Sequence, residues 1–168
     1  MKTKAIKDIS IVLKPSKFED LNNFMTNLLR WLGRRNKNVY FLDSEKERLS
    51  RTLVKKSLDK ITFVKPQYLF NKTDLIISIG GDGTLLGVCR NINSKIPVFG
   101  INLGHLGFIT EFSKNEFYES LNTILQDKFD VIKKSLFTLE VTKPSGEIIK
   151  ETFFNDAVIS KNDIARMF

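Results

Sequence analysis

Cysteine, histidine and tryptophan are scarce in this sequence of 168 residues, which contains one of each. A single cysteine excludes an intramolecular disulfide framework and any metal site built from several thiolates. A single histidine argues against a histidine-rich zinc site and against a Ser-His catalytic arrangement. No apolar run approaches the roughly 18–20 residues of a membrane-spanning helix, and the basic residues 1–7 lack the apolar core of a signal peptide. We therefore expect a cytoplasmic protein that has no membrane partner.

The composition is that of a folded, basic protein. Hydrophobic residues make up 42% of the chain, and its 14 phenylalanines are enough for a packed core, which excludes disorder as the main state. The net charge is +8, and residues 1–72 carry 17 Lys and Arg against seven Asp and Glu. A basic half suits nucleic acid, anionic lipid or phosphorylated ligands. However, the chain has no nucleic-acid motif, so we interpret the lysines as a solvated surface and expect no nucleic-acid partner.

Short apolar runs alternate with helical patterns in residues 1–128. Strands are predicted at 9–13, 39–42, 75–79 and 97–101, and helices at 18–32, 84–91 and from 117 onward, with weak helical character at 45–60. Ser16 is the predicted cap of the first helix, and Ser113 with Glu116 has the spacing of a capping box for the last. Alternating strands and helices indicate βαβ units. The predicted fold class is therefore α/β, with a doubly wound, mostly parallel sheet.

The pattern changes to a period of two near residue 129. Phe137, Leu139 and Val141 alternate with polar residues, residues 144–147 form a turn sequence, and residues 148–154 return as a second strand. A further strand is predicted at 157–160. We therefore divide the chain into an α/β phosphate-loop domain, residues 1–128, and the opening of an all-β domain, residues 129–168, which we interpret as incomplete.

A glycine-rich segment, Gly80-Gly81-Asp82-Gly83-Thr84, follows the apolar strand at 75–79 directly. Glycines bring bare N–H groups against a ligand, and the N-terminus of the helix that follows is an anion site. Because ligands of open α/β sheets bind at the carboxyl ends of strands, this loop suits a phosphate. Asp82 would repel phosphate unless it binds Mg²⁺, accepts a proton from an attacking hydroxyl, or holds a ribose diol. A plain Gly-Asp-Gly turn is the structural alternative.

A second glycine-rich loop, residues 100–108, follows the next strand and should lie near the first. Asn102 offers a donor and an acceptor that suit a base or ribose edge. Phe108 offers a face for stacking, with core packing as its alternative, and His105 either lies at the surface or meets a phosphate. Asn155 and Asp156, by themselves, are typical of a turn.

Taken together, the Gly80–Thr84 segment, the loop at 100–108 and the Asn155-Asp156 pair resemble NAD kinases, in this order and at this spacing. The first segment is shared with diacylglycerol and sphingosine kinases, whereas the second is more specific to NAD kinases. The resemblance implies an enzyme that transfers a phosphoryl group to the 2′-hydroxyl of the adenosine ribose of NAD, giving NADP. It implies ATP or polyphosphate as the donor and a divalent metal such as Mg²⁺.

The resemblance also implies roles for single residues. Asp82 would accept the proton and, with Gly83, contact the dinucleotide. Asn155 and Asp156 would bind the adenosine end of the dinucleotide. Arg166 stands where relatives place a basic residue that contacts NAD. Phe108 would line the adenine pocket.

Two departures from the family pattern qualify these expectations. Gly87 stands where some relatives have an arginine, so we expect this chain to lack the contact to the donor phosphates that the arginine would make. Family members are usually longer than this chain, and they are expected to form homo-oligomers. We therefore expect the 168-residue chain alone to be inactive. The alternatives are a lipid or sugar kinase that shares the glycine-rich loop, and a non-catalytic nucleotide-binding domain in which Asp82 is structural.

Overall fold

The computed structural model describes residues 5–16, 18–92, 96–104, 107–110, 112–154, 156 and 158. They fall into two units, Met1–Val131 and Ile132–Phe168. In the described residues, no helix has the length and apolar character that crossing a membrane would require.

The first unit contains six strands and six α-helices within its described residues. The strands are β1 (Asp8–Leu13), β2 (Asn38–Leu42), β3 (Ile61–Val64), β4 (Leu75–Gly80), β5 (Val98–Asn102) and β6 (Phe112–Ser113). The helices are α1 (Leu21–Gly33), α2 (Lys46–Thr52), α3 (Lys55–Leu58), α4 (Pro66–Leu69), α5 (Asp82–Asn91) and α6 (Phe117–Leu125). The four strands and the helices predicted from the apolar runs are thereby confirmed, with α1 beginning three residues later and α5 two residues earlier than expected.

The six strands form one parallel sheet in the order β3-β2-β1-β4-β5-β6. From β1 the chain proceeds to β2 and β3 on one side, and from β4 it proceeds to β5 and β6 on the other. The strand order therefore reverses between β1 and β4, which pair in register from Ile9 opposite Leu75 to Leu13 opposite Ile79. In open α/β sheets, ligands bind outside the carboxyl ends of the strands at this reversal.

Both faces of the sheet are covered, as a doubly wound fold requires. On one face Ile77 and Ile79 of β4 belong to a core with α1 and α6, to which Leu28 and Phe117 contribute. On the other face Ile76 packs with residues of α4 and α5. Every residue of β4 is buried, which explains its continuous apolar run. The central position of β4 holds the loop after it on a rigid base.

Two predicted helix caps are wrong. Helix α1 begins at Leu21 after Asp20, and Ser16 lies outside the helix. The Arg48 guanidinium donates to the carbonyls of Lys14 and Ser16, at 2.9 and 3.2 Å, and these bonds hold that segment as a loop.

The capping box before α6 is also wrong. Ser113 pairs with Asn102 as part of β6, and its hydroxyl donates to the Glu116 carboxylate at 2.8 Å. Glu116 itself takes the N-cap position of α6 and makes no side-chain cap bond. Strand pairing thus removes Ser113 from the helix that its sequence spacing favours.

Strands β3 and β6 have no counterpart in the sequence prediction. Both lie at sheet edges, and they contain four and two residues. An edge strand has one neighbour and is exposed along its other side, so its apolar pattern is short and weak. Their existence depends on pairing with β2 and β5, which no local pattern reveals.

The second unit contains an antiparallel hairpin of β7 (Phe137–Thr142) and β8 (Ile148–Phe153). Its register runs from Phe137 opposite Phe153 to Thr142 opposite Ile148, and the two phenyl rings stack at 5.5 Å. Gly146 adopts a φ of 84° in the connecting turn, a conformation that glycine adopts readily. The predicted hairpin is confirmed. The strand predicted at 157–160 lies outside the described residues except for Val158.

Candidate functional site

The glycine-rich loop lies where β4 ends and α5 begins, next to the reversal of strand order. The Lys14 amide donates to the Ile79 carbonyl at 2.9 Å and continues the pairing of β1 with β4 to the start of the loop. The Leu103 amide donates to the Gly80 carbonyl at 2.8 Å. The loop at 100–108 therefore begins beside the first loop, as its position after the neighbouring strand predicted.

The glycines of the first loop serve two different purposes. A Cβ at Gly80 would overlap the Thr84 side chain and stand 3.0 Å from Lys14 Cβ, so packing within the protein requires glycine there. Within the described residues, a Cβ at Gly81 or at Gly83 would meet no atom within 4 Å. These two glycines border open space at the N-terminus of α5, where unpaired amides attract an anion.

The Asp82 carboxylate connects the two loops through four hydrogen bonds. Its Oδ2 accepts from the Phe108 amide at 2.9 Å. Its Oδ1 accepts from the Thr110 amide at 3.0 Å, from the Thr110 hydroxyl at 2.8 Å and from the Ile109 amide at 3.3 Å. The first residue of α5 is thus tied to a segment 26 to 28 residues further along the chain.

These contacts set the protonation of Asp82. Removal of the carboxyl group from solvent raises its pKa, but the hydrogen bonds from Thr110, Phe108 and Ile109 have the opposite effect and outweigh it. The pKa of Asp82 therefore lies below its usual value, because all four donors stabilise the ionised form. Asp82 is therefore an ionised carboxylate at neutral pH, and the hydrogen bonds that lower its pKa also make it a weaker base than a free aspartate.

Gly107 makes the contact between the loops possible. A Cβ on Gly107 would overlap the Asp82 carboxylate and stand 2.6 Å from its Cγ. Glycine is therefore required at position 107 for the loop to reach the carboxylate. For Gly104, in the same loop, the one described atom near a Cβ position is Asn102 Oδ1, at 3.9 Å.

Asn102 is buried, with 4% of its surface exposed. Its Oδ1 accepts from the Gly104 amide at 2.9 Å, and its Nδ2 donates to the Thr110 hydroxyl at 2.8 Å. Both ends of the side-chain amide are thus bonded within the protein. Direct contact of Asn102 with a base or ribose stays a prediction. Its observed contacts shape the loop that reaches Asp82.

Phe108 is fully exposed, at 105% of its reference surface, so core packing is excluded for its ring. Its amide is anchored on Asp82 while its ring is free in solvent. Such a ring provides a stacking face. The role in an adenine pocket stays a prediction.

The other predicted site residues are less informative. Asn155, Arg166 and His105 lie outside the described residues, and Asp156 is exposed in the second unit. Thr110 was not identified from the sequence, because a threonine after a glycine-rich loop carries no signal of its own. In the described ranges, no three His, Cys, Asp or Glu side chains lie together as a metal site would require.

Comparison with known proteins gives the family context of this site. Residues 9–129 match the family model of the ATP-NAD kinase N-terminal domain. The NAD kinase of Solibacter usitatus is 34% identical over 163 residues, which are 96% of this chain and 53% of that protein. The NAD kinase of Syntrophobacter fumaroxidans is 38% identical over 138 residues, 82% of this chain and 45% of that protein. The chain thus spans about half the length of these two relatives.

The fold is also similar to a solved structure. The crystal structure of yeast NADH kinase complexed with NADH superposes on 90% of this chain and 48% of its own, with a TM-score of 0.73 and 20% identity. At 20% identity, the likeness to that protein shows a shared fold and nothing more. The matched residues 9–129 include β2 to β6, all of β1 except Asp8, both glycine-rich loops and Asp82. By this match the chain belongs to the family of the ATP-NAD kinase N-terminal domain.

Proposed function

We propose that the protein carrying this chain phosphorylates the 2′-hydroxyl of the adenosine ribose of NAD, giving NADP. The observation that carries this proposal is the position of Asp82. An ionised carboxylate stands at the N-terminus of α5, between open glycines and the loop that carries an exposed phenyl ring. The open glycines suit a phosphate, the carboxylate suits a ribose hydroxyl, and the exposed ring suits an adenine.

In the proposed reaction the ribose hydroxyl attacks the terminal phosphorus of the donor. The new bond joins the 2′ oxygen to phosphorus, and the bond from phosphorus to the leaving oxygen of the donor breaks. The hydroxyl proton passes to the Asp82 carboxylate. A positioned general base typically accelerates such a step about 10²–10⁴-fold.

We propose that the donor phosphates bind at the loop of Gly81 and Gly83, where the helix dipole and bare amides favour negative charge. Gly83 is proposed to contact the dinucleotide as well, together with Asp82. We propose ATP as the donor, with polyphosphate as an alternative. Thr84 lies in the first turn of α5 and is proposed to belong to the same phosphate site. Gly80 is proposed to support that site by packing closely against Thr84. A divalent cation such as Mg²⁺ is expected to come with the donor phosphates and would neutralise part of their charge. The described residues offer no cluster of His, Cys, Asp or Glu side chains that would hold it without the phosphates.

On the dinucleotide side, Phe108 is proposed to stack on adenine and Asn102 to shape the ribose side of the pocket. Asn155, Asp156 and Arg166 are proposed to bind the adenosine end. We further propose a cytoplasmic homo-oligomer for the complete protein. The family resemblance supports these proposed roles.

The test is NADP formation by the complete protein from NAD and ATP, accompanied by thermal melting with each ligand. A ligand at 100 times its dissociation constant raises the stability by about 2.7 kcal/mol. We expect NAD and NADP to raise the melting temperature. Stabilisation by a lipid headgroup or a sugar instead would favour the kinases that share only the glycine-rich loop.

A specific observation favours one second candidate. Both oxygens of Asp82 are hydrogen-bonded to the protein, which is what a structural aspartate in a non-catalytic nucleotide-binding domain would show. Nucleotide binding without any phosphoryl transfer by the complete protein would support that candidate and contradict the kinase proposal.

A further inference from the structure

The two oxygens of the Asp82 carboxylate are unequally occupied. Oδ1 accepts three hydrogen bonds, two from Thr110 and one from the Ile109 amide. Among the residues that the structure describes, Oδ2 accepts one, from the Phe108 amide. A carboxylate offers about four acceptor sites over its two oxygens. Oδ1 is therefore saturated, whereas Oδ2 retains capacity for another hydrogen.

The hydrogen bonds behind Oδ1 have a determined direction. A backbone amide only donates, so the bond from Gly104 identifies the accepting end of the Asn102 side chain as oxygen. The other end of Asn102 is then nitrogen, and it donates to the Thr110 hydroxyl at 2.8 Å. The Thr110 oxygen accepts this bond, so its own hydrogen is directed to Asp82 Oδ1.

Asn102 and Thr110, the two residues that lead by hydrogen bonds to Asp82, are held firmly by the sheet. Thr110 and Asn102 are buried, with 1% and 4% of their surfaces exposed, and Asn102 is paired with Gly80 in the sheet. The Thr110 methyl group also lies near Gly100, where a Cβ would stand 3.2 Å from Thr110 Cγ2. Strand β5 therefore contacts the Thr110 side chain twice, with Asn102 at its hydroxyl and Gly100 near its methyl group.

We propose that Thr110 is a positioning residue that holds Oδ1 of Asp82, with its hydroxyl oriented by Asn102, and so leaves Oδ2 as the oxygen that accepts the ribose proton. The proposal rests on the proposed kinase function. It adds to that function a defined proton acceptor and two residues that act through Asp82. The O–H bond of the ribose breaks, the proton binds to Oδ2, and Oδ1 keeps its bond from Thr110.

The test compares Thr110→Val, which keeps the shape and removes the hydroxyl, with Thr110→Ser, which keeps the hydroxyl. Both are measured in the complete protein for kcat, for the KM of NAD and for melting temperature. We expect Thr110→Val to lower kcat about tenfold, equal to about 1.4 kcal/mol in the barrier, with the KM of NAD within about twofold. Thr110→Ser should restore kcat to within about twofold of the parent protein.

Other results of these measurements would overturn the role of Thr110 or the role of Asp82 as the base. A kcat of Thr110→Val equal to that of the parent, or equal losses in Thr110→Val and Thr110→Ser, would overturn the positioning role. If Thr110→Val fails to fold, Thr110→Ala against Thr110→Ser gives the same comparison. Asp82→Asn is measured alongside: full activity there contradicts the base role itself, whereas an inactive Asp82→Asn with a fully active Thr110→Val contradicts only the inference about Thr110.

Discussion

Gly107 and the Asp82 carboxylate lie so close that the smallest side chain at position 107 would overlap the carboxylate. The contact allows the amides of residues 108 to 110 to reach Asp82. It joins the two glycine-rich loops, which are adjacent because β4 and β5 are paired.

Gly107→Ala is expected to separate the loop from Asp82. Overpacking of this kind costs about 1–3 kcal/mol, so the melting temperature should fall and the activity of the complete protein should fall with it. Gly104→Ala is the matched control, because a Cβ there meets only an ordinary contact at 3.9 Å. Equal melting temperatures of the two variants would show that the close contact is unimportant.

Substitution of Gly80 is expected to lower stability, whereas substitution of Gly83 is expected to weaken nucleotide binding. Gly80→Ala should destabilise the fold, because its Cβ overlaps Thr84. Gly83→Val faces open space, so it should fold normally and weaken nucleotide binding while leaving the carboxylate of Asp82 in place. Thermal melting with and without nucleotide measures both effects. A nucleotide-induced shift in Gly83→Val equal to that of the parent would contradict a ligand at this position.

Asp82→Asn in the complete protein should lower kcat at least about 10²-fold, because the carboxamide cannot accept the proton. Dinucleotide affinity should change far less, since other groups also contact the ligand. Steady-state kinetics with NAD separate the two effects. A large loss of NAD binding at unchanged kcat would identify Asp82 as a holder of the ribose diol instead.

Asp82 should also make the stability of the fold dependent on pH. Its pKa is lower in the folded protein than the ordinary value of 3.8, so its ionised form stabilises the folded state. This contribution is full at pH values well above 3.8, and it is lost as the pH falls through the lower folded pKa. Urea unfolding of the parent and of Asp82→Asn at several pH values should show a difference that shrinks below pH 3.8. A constant difference would exclude the linkage.

The 168-residue chain by itself is expected to have little kinase activity and to self-associate. Phe137 and Val141 share one face of the hairpin and are 53% and 45% exposed, and β7 is largely exposed along its length. Exposed apolar side chains on an open hairpin favour association between chains. Sedimentation should show oligomers that Phe137→Ser with Val141→Ser reduces. A monomeric parent chain would contradict the expected self-association. Full NAD turnover by the chain would contradict the expected lack of activity.

Much of the site was predictable from local pattern. The apolar run at 75–79, the glycines after it and the helix that follows are contiguous in sequence, so their geometry follows from short-range rules. The hairpin at 137–153 was predictable for the same reason, because its strands are joined by one short turn.

The sequence by itself determined the α/β fold class, the position of each loop directly after a strand, and Asp82 as the carboxylate of the first loop. The pairing of β4 with β5 decided that the two loops are adjacent. The tertiary structure alone decided that β3 and β6 exist, that Asn102 bonds within the protein, and that Thr110 occupies Oδ1 of Asp82. The physical reason is sequence distance. The donors to Asp82 lie 26 to 28 residues away, and only the folded sheet brings them within hydrogen-bonding range.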